Sequence, residues 1–189
     1  MEATNRNDET ATLIAAADSS RIAVLIMQMG GARTLDEVPE YIRLLFSDAD
    51  LVRLPPPISW FRAPLARWVS RKRAPRVREQ YKIIGGGSPN NRITCLQAAA
   101  LQNELNKDQD RFRCYAAMTY TPPSAADALR QALADGCGSF LAISAFPHFS
   151  TASTGASLSD LRRACLEVGL PLDEVQTLTE WGEDPSFLD

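Results

Sequence analysis

The chain has 189 residues, 45% of them hydrophobic and 23% charged, with a net charge of −3. That is an ordinary balance for one globular domain, and a chain of this size buries roughly 70% of the surface its unfolded form exposes. The acidic balance argues against a general nucleic-acid binder, and no apolar run approaches the ~20 residues of a membrane span.

Residues 1–20 are polar and acidic, with a weak apolar patch at Leu13–Ala17 and no basic start. They lack the features of a signal peptide and are expected to form a disordered tail. Residues 21–189 read as one domain. Ile22–Met29 (IAVLIMQM) is a nearly continuous apolar run ending at Gly30-Gly31, which suits a strand buried on both faces. Thr34 and Glu37 have capping-box spacing, so a helix is expected there with Val38, Ile42 and Leu45 inward. After Pro55-Pro56-Pro57, the segment Ala63–Tyr81 reads as partly helical, with Pro75 capping or kinking it.

Beyond Gly85-Gly86-Gly87, the residues Ile93, Leu96, Ala100, Leu101 and Leu105 are expected on the buried face of a helix. Phe112–Met118 reads as a second strand. Ser124 and Asp127 then cap a helix with Ala125, Ala128, Leu129, Ala132 and Leu133 inward, ending at Gly136. Ser139–Phe146 is a third strand, and Ser157 with Asp160 starts a helix carrying Leu158, Leu161, Cys165 and Val168. Glu174–Thr179 is a short fourth strand. Strands alternating with helices predict a four-stranded parallel α/β sheet, in which ligands bind beyond the carboxyl ends of the strands.

The chemistry concentrates between these elements. From Arg62 to Lys82 there are eight Lys or Arg residues and one acid, Glu79. With Trp60, Phe61, Trp68 and Tyr81 beside them, these cations read either as an anion site bordered by flat apolar surface or as a solvated helix face. Gly85–Ser88 reads either as backbone N–H groups turned toward an oxygen-rich ligand or as a plain turn. Neither glycine cluster completes a dinucleotide or P-loop pattern, which leaves a nucleotide-binding domain the weakest reading. His148 is the single histidine; with no nucleophile elbow and no ligand-spaced partner it is a pocket-lining or structural residue. The four cysteines, Cys95, Cys114, Cys137 and Cys165, show no metal or redox spacing and read as buried free thiols in a reducing cytosol.

Taken together, the stretches LIMQMGGARTLDEVPEYIRLLFSDADLVRLP, RKRAPRVREQYKIIGGGSP and FPHFSTASTGASLSDL resemble the amino-terminal half of ferrochelatase, from about Ile22 to the last residue. The resemblance implies a Rossmann-like, chelatase-type half of a two-half fold that encloses a porphyrin cleft, and insertion of ferrous iron into the porphyrin in haem synthesis. It implies that Met29 approaches the macrocycle, that Arg73, Tyr81 and Ser88 contact its propionates, and that Tyr120 and His148 line the cleft. Three residues depart from the family pattern. Thr119 stands where many members carry Arg, Gln28 replaces a common Asn, and Thr151 stands where animal members place a cluster-ligating Cys, so no iron–sulfur cluster is expected.

The family's catalytic His and Glu belong to the second half, so no catalytic residue and no resident metal site is expected in this chain. Porphyrin and Fe2+ are expected as substrates only. The implied partners are a porphyrin dicarboxylate or tetracarboxylate and either the missing second half-domain or a second copy of the chain. Peripheral membrane contact is a further implied partner, nucleic acid is not, and the implied location is cytoplasmic. The alternative reading is a non-catalytic porphyrin-binding module.

Overall fold

The structure, a computed structural model, describes residues 21–188; the tail expected over 1–20 lies outside them. Four parallel strands, β1 (Arg21–Gln28), β2 (Phe112–Met118), β3 (Cys137–Ser144) and β4 (Val175–Leu178), form one sheet in the order β2-β1-β3-β4. Six helices connect or follow them: α1 (Val38–Ser47), α2 (Arg62–Ile83), α3 (Asn90–Leu105), α4 (Ala125–Ala134), α5 (Ala156–Val168) and the short α6 (Pro185–Leu188). The fold class predicted from the alternation of strands and helices is the one observed.

The apolar run of β1 makes it a central strand, with Ile22 through Met27 all buried. Ala23, Leu25 and Met27 face α4 and α5 in the main core, which also takes Leu129, Phe140, Leu161 and Cys165. Each fully buried Leu or Met there contributes roughly 1.5–3 kcal/mol through removal from water. Ile26 faces the other way, where it shares a cavity of about 270 Å³ with Leu101 of α3, Ile143 and Trp181. The edge strand β2 is closed off by side chains of the helix before it. Gln102 Oε1 accepts the Cys114 N–H at 2.9 Å, and Asn106 Oδ1 accepts the Phe112 N–H at 2.8 Å, which blunts an otherwise open ladder.

Local signals held where a helix end is self-contained. The Ser124–Asp127 capping box forms in both directions, and Gly136 and Gly169 follow the ends of their helices. They failed at two other helix starts. Glu37 does not cap Thr34; its carboxylate turns back to the Arg33 N–H at 2.8 Å and the Arg33 guanidinium at 2.6 Å. Ser157 does not cap α5 either. The chain enters that helix one turn earlier, through a π-helical turn at Thr151–Gly155 whose start is capped by Ser150, and Ser157 is buried.

Two further expectations are corrected. Arg62–Ile83 is one unbroken helix through Pro75, which lies on the exposed side together with Arg71, the residue whose carbonyl a proline there cannot bond. In α3 the buried positions are Asn91, Thr94 and Ala98, followed by the half-buried Leu101 and Leu105. Ile93, Leu96 and Ala100 are exposed. Polar residues take the inward positions of the first turns because that helix start is held by hydrogen bonds rather than by apolar packing.

The long excursion between β1 and β2 has its own small core. Ala32, Val38, Ile42 and Ala74 are buried together, flanked by Tyr41, Phe46, Val69, Val77 and Tyr81. The pair α1–α2 therefore stands as a unit beside the carboxyl end of β1.

Candidate functional site

The connections that follow β1 and β3, two adjacent strands, leave toward opposite edges of the sheet. Crevices at such switch points hold ligands in open α/β sheets. Met29 follows β1 and His148 follows β3, so both flank this crevice.

The chain leaves β1 through Gly30, whose φ of +78° lies in the left-handed region that disfavours side chains. A Cβ at that position would also overlap the Thr121 hydroxyl. The ends of β1 and β2 therefore lie in direct contact, joined by the Thr119 N–H to the Gln28 carbonyl at 2.9 Å and the Tyr120 N–H to the Met29 carbonyl at 3.1 Å. Asn91, buried in the first turn of α3, binds both loops. Its Oδ1 accepts the Gly31 N–H at 2.9 Å, and its Nδ2 donates to Thr121 Oγ1 at 2.7 Å and to the Pro122 carbonyl at 3.0 Å.

The triple glycine presses on the same place. The N–H groups of Gly85 and Gly86 bond the Lys82 and Tyr81 carbonyls, and the Ser88 N–H donates to the Ala32 carbonyl at 2.7 Å. A Cβ at Gly87 would overlap the Arg33 carbonyl. Of the two readings open for this segment, the hydrogen bonds favour the turn, since the Gly85, Gly86 and Ser88 N–H groups are engaged inside the fold. The Ser88 side chain remains in play. It packs against Gly31, its Oγ accepts the Asn90 N–H at 3.2 Å, and its proton is left to donate.

Tyr81 reaches the corner from the last turns of α2, its hydroxyl beside Gly31. Burial raises its pKa, with the Ala32 N–H opposing. Tyr41 donates to the Gly30 carbonyl at 3.1 Å and is pushed up to about 12 by burial. Tyr120 lies edge-on to Tyr41, with centroids 6.4 Å apart at 77°, and is only 8% exposed. Its hydroxyl donates to Asp48 Oδ2 at 2.6 Å. Burial, then Asp48, raises its pKa.

Four of the six expected residues, Met29, Tyr81, Ser88 and Tyr120, thus gather around the end of β1. The other two stand apart. Arg73 is exposed, with its guanidinium 5.1 Å from the centre of the Phe46 ring, about 12 Å from Tyr81 along the helix axis. His148 packs against Gly182, where a Cβ would strike its ring, and lines a cavity of about 310 Å³ with Trp181, Glu180 and Glu183. Among the described residues no three His, Cys, Asp or Glu side chains converge as a metal site. Thr119, in place of a cation, pairs its hydroxyl with Ser157 at 3.1 Å.

The basic helix divides by function. Arg62 holds the Asp48 and Val52 carbonyls at 3.0 and 2.6 Å, Arg78 holds the Leu35 carbonyl at 2.9 Å, and Lys82 pairs with Glu79 at 2.7 Å. Arg67, Arg71, Lys72 and Arg76 are exposed and have no carboxylate partner among the described residues. All four cysteines are free, but Cys95 is exposed and Cys114 half-buried, so only Cys137 and Cys165 fit the buried-thiol expectation.

Sequence reasoning missed Asn91, Tyr41 and Asp48. Asn91 was hidden behind a predicted apolar stripe. Asp48 sits in a Ser-Asp-Ala-Asp turn after a helix, a pattern that signals a side chain bonded to its own backbone. The corner offers the Ser88 and Tyr81 hydroxyls beside buried aromatic rings, at the end of a helix that carries exposed cations.

Sheet topology defines a Rossmann-like α/β unit, with the candidate site at the carboxyl edge of its strands. The ferrochelatase family model matches residues 21–189, and the chain belongs to that family. It is 40% identical over 170 residues to the ferrochelatase of Citrifermentans bemidjiense, covering 90% of this chain and 52% of the relative. Similarity to the ferrochelatase of Geobacter sp. strain M21 has the same identity and coverage. To the chloroplastic ferrochelatase-2 of Arabidopsis thaliana it is 38% identical over 146 residues, 77% of this chain and 28% of the relative. The chain spans about half the length of the bacterial relatives it matches. No helix among the described residues is long and apolar enough to cross a membrane.

Proposed function

We propose that this chain supplies the propionate-binding wall of a porphyrin cleft in ferrous-iron insertion, and that the metal-inserting residues come from a second half. The observation that carries this reading is the convergence of Met29, Tyr81, Ser88 and Tyr120 on one corner from three separate segments, with unpaired cations alongside. Met29 and the Tyr120 ring meet the macrocycle, and Ser88 and Tyr81 meet a carboxylate at its edge. Arg73 leaves the Phe46 ring to join them, a reorientation open to an exposed arginine. His148 borders the cleft on the β3 side. Fe2+ enters as a substrate of the assembled cleft.

The test is an absorbance titration of the chain with a dicarboxylate porphyrin. Charge-assisted hydrogen bonds contribute about 1.5–3 kcal/mol, so Arg73→Ala and Ser88→Ala should each weaken binding about tenfold or more. An unchanged affinity in Arg73→Ala would remove that contact, and no binding by the unaltered chain would remove the whole reading. Turnover with ferrous iron by the chain alone would refute the assignment of the chemistry to a second half.

Two surfaces support the proposed partners. Ile83 (85% exposed) and Ile84 at the end of α2, and Ile93 and Leu96 early in α3, are exposed apolar side chains, which suits cover by the second half-domain, or by a second copy of the chain. Ile58, Trp60 (81% exposed), Phe61 and Trp68 stand beside Arg67 and Arg71, a pairing of aromatic and basic groups that suits the surface of an anionic membrane. Flotation with anionic vesicles, lost in Trp60→Ala, tests the second. The four free thiols fit a reducing cytoplasm.

A further inference from the structure

Asp48 is bound on every side. It follows the last residue of α1, and its Oδ1 accepts the Asp50 N–H at 2.8 Å. Its Oδ2 accepts the Tyr120 hydroxyl proton at 2.6 Å, across 72 residues of sequence. Its backbone carbonyl accepts the Val52 N–H and the Arg62 guanidinium, each at 3.0 Å. The carboxylate cannot turn toward a ligand without breaking the turn at residues 48–52. Tyr120 in turn is clamped, with the Tyr41 ring edge-on to it and its own N–H bonded to the Met29 carbonyl.

We propose that Asp48 is a positioning residue, which fixes the Tyr120 ring as an apolar floor of the cleft with its hydroxyl turned away from the ligand. A phenol has one proton to donate, and here it is donated to Asp48. Tyr120 therefore offers a bound macrocycle ring surface and no hydrogen-bond donor, and recognition of carboxylates is left to the side of the corner that carries Ser88 and Tyr81. Without the anchor the ring must be immobilised anew by each ligand, which weakens binding by the cost of ordering one side chain. The floor role rests on the porphyrin reading above; the anchoring of the ring does not.

The test uses the whole chain and its D48A, D48N, Y120F and D48A/Y120F variants. Each is titrated with a dicarboxylate porphyrin, and the near-ultraviolet circular dichroism of the ligand-free protein is recorded, with far-ultraviolet spectra as a check on folding. D48A and Y120F should each weaken porphyrin binding about two- to tenfold, and the double variant no further. D48N keeps an acceptor for the phenol and should restore binding. The tyrosine band should shrink in D48A and Y120F and persist in D48N. Wild-type affinity in D48A overturns the proposal, as do losses that add in the double variant or a D48N no better than D48A. If the unaltered chain binds no porphyrin, the porphyrin reading falls by itself. The tyrosine band then decides the anchoring, and an unchanged band in D48A overturns it.

Discussion

Asn91→Ala should be among the most destabilising single changes outside the main core. The side chain is buried and makes three hydrogen bonds, to the Gly31 N–H, the Thr121 hydroxyl and the Pro122 carbonyl. Truncation leaves the Gly31 N–H without its partner in a place too tight for easy access of water. Each buried polar group left unmatched costs roughly 1–3 kcal/mol. The Thr121 hydroxyl can rotate to another acceptor and the Pro122 carbonyl is partly exposed, so the expected total is about 3 kcal/mol. For a chain of this size that corresponds to a fall in Tm of roughly 6–12 °C. Urea and thermal unfolding measure it directly. Asn91→Asp keeps the acceptor for Gly31 and loses both donations, so it should fall between Ala and wild type. A loss below about 0.5 kcal/mol in Asn91→Ala would refute the view that this side chain ties the loops after β1 and β2 together.

Three other outcomes follow from the packing. Gly87→Ala drives a methyl into the Arg33 carbonyl and should cost about 1–3 kcal/mol in urea unfolding, whereas Gly136→Ala, with open space around it but a φ of +76°, should cost about 1 kcal/mol. Tyr41 holds its proton to about 12 in the fold and to about 10 when unfolded. Its contribution is complete below pH 10 and is lost as pH rises toward 12, by up to about 2 kcal/mol after allowance for partial exposure. Tyr41→Phe should flatten that part of the stability–pH curve, and an identical curve would rule the attribution out. A thiol reagent at pH 8 should label Cys95 rapidly in the native protein and Cys137 and Cys165 only on unfolding. Cys114, pushed up to about 11 by burial, should react slowly, so a rapid native phase of more than one thiol would contradict the structure.

The parts of this fold that were legible in the sequence are those decided within a few residues. The unbroken apolar run at Ile22–Met27 could only be a strand covered on both faces, and Ser124 with Asp127 could cap one another without help. The candidate site is less legible in its construction. Its residues stood out through a family resemblance, but what holds them does not show in local pattern. Asp48 and Tyr120 lie 72 residues apart, and Asn91 reaches Gly31 across 60. For glycines 85–87 a donor cradle and a plain turn stayed equally open, because no pattern says that the Gly85 and Gly86 N–H groups close a helix and that Gly87 receives the Arg33 carbonyl. The same long reach explains one error. The start of α3 looked apolar-faced because hydrogen bonds to loops far away in sequence, not its own hydrophobic stripe, set its rotation.

The small core between α1 and α2 bears on how a ligand could enter. Apolar packing unites those helices with each other, while their ties to the ends of β1 and β2 include Tyr41 to Gly30, Asp48 to Tyr120 and the edge-on pair of the Tyr41 and Tyr120 rings. A body assembled in this way can hinge open as one cooperative unit, at the cost of such ties, while the sheet stays intact. Native-state hydrogen exchange should register this as two families of amides. Those of 38–47 and 62–83 would share one sub-global opening energy, and those of β1 and β3 would exchange only through complete unfolding.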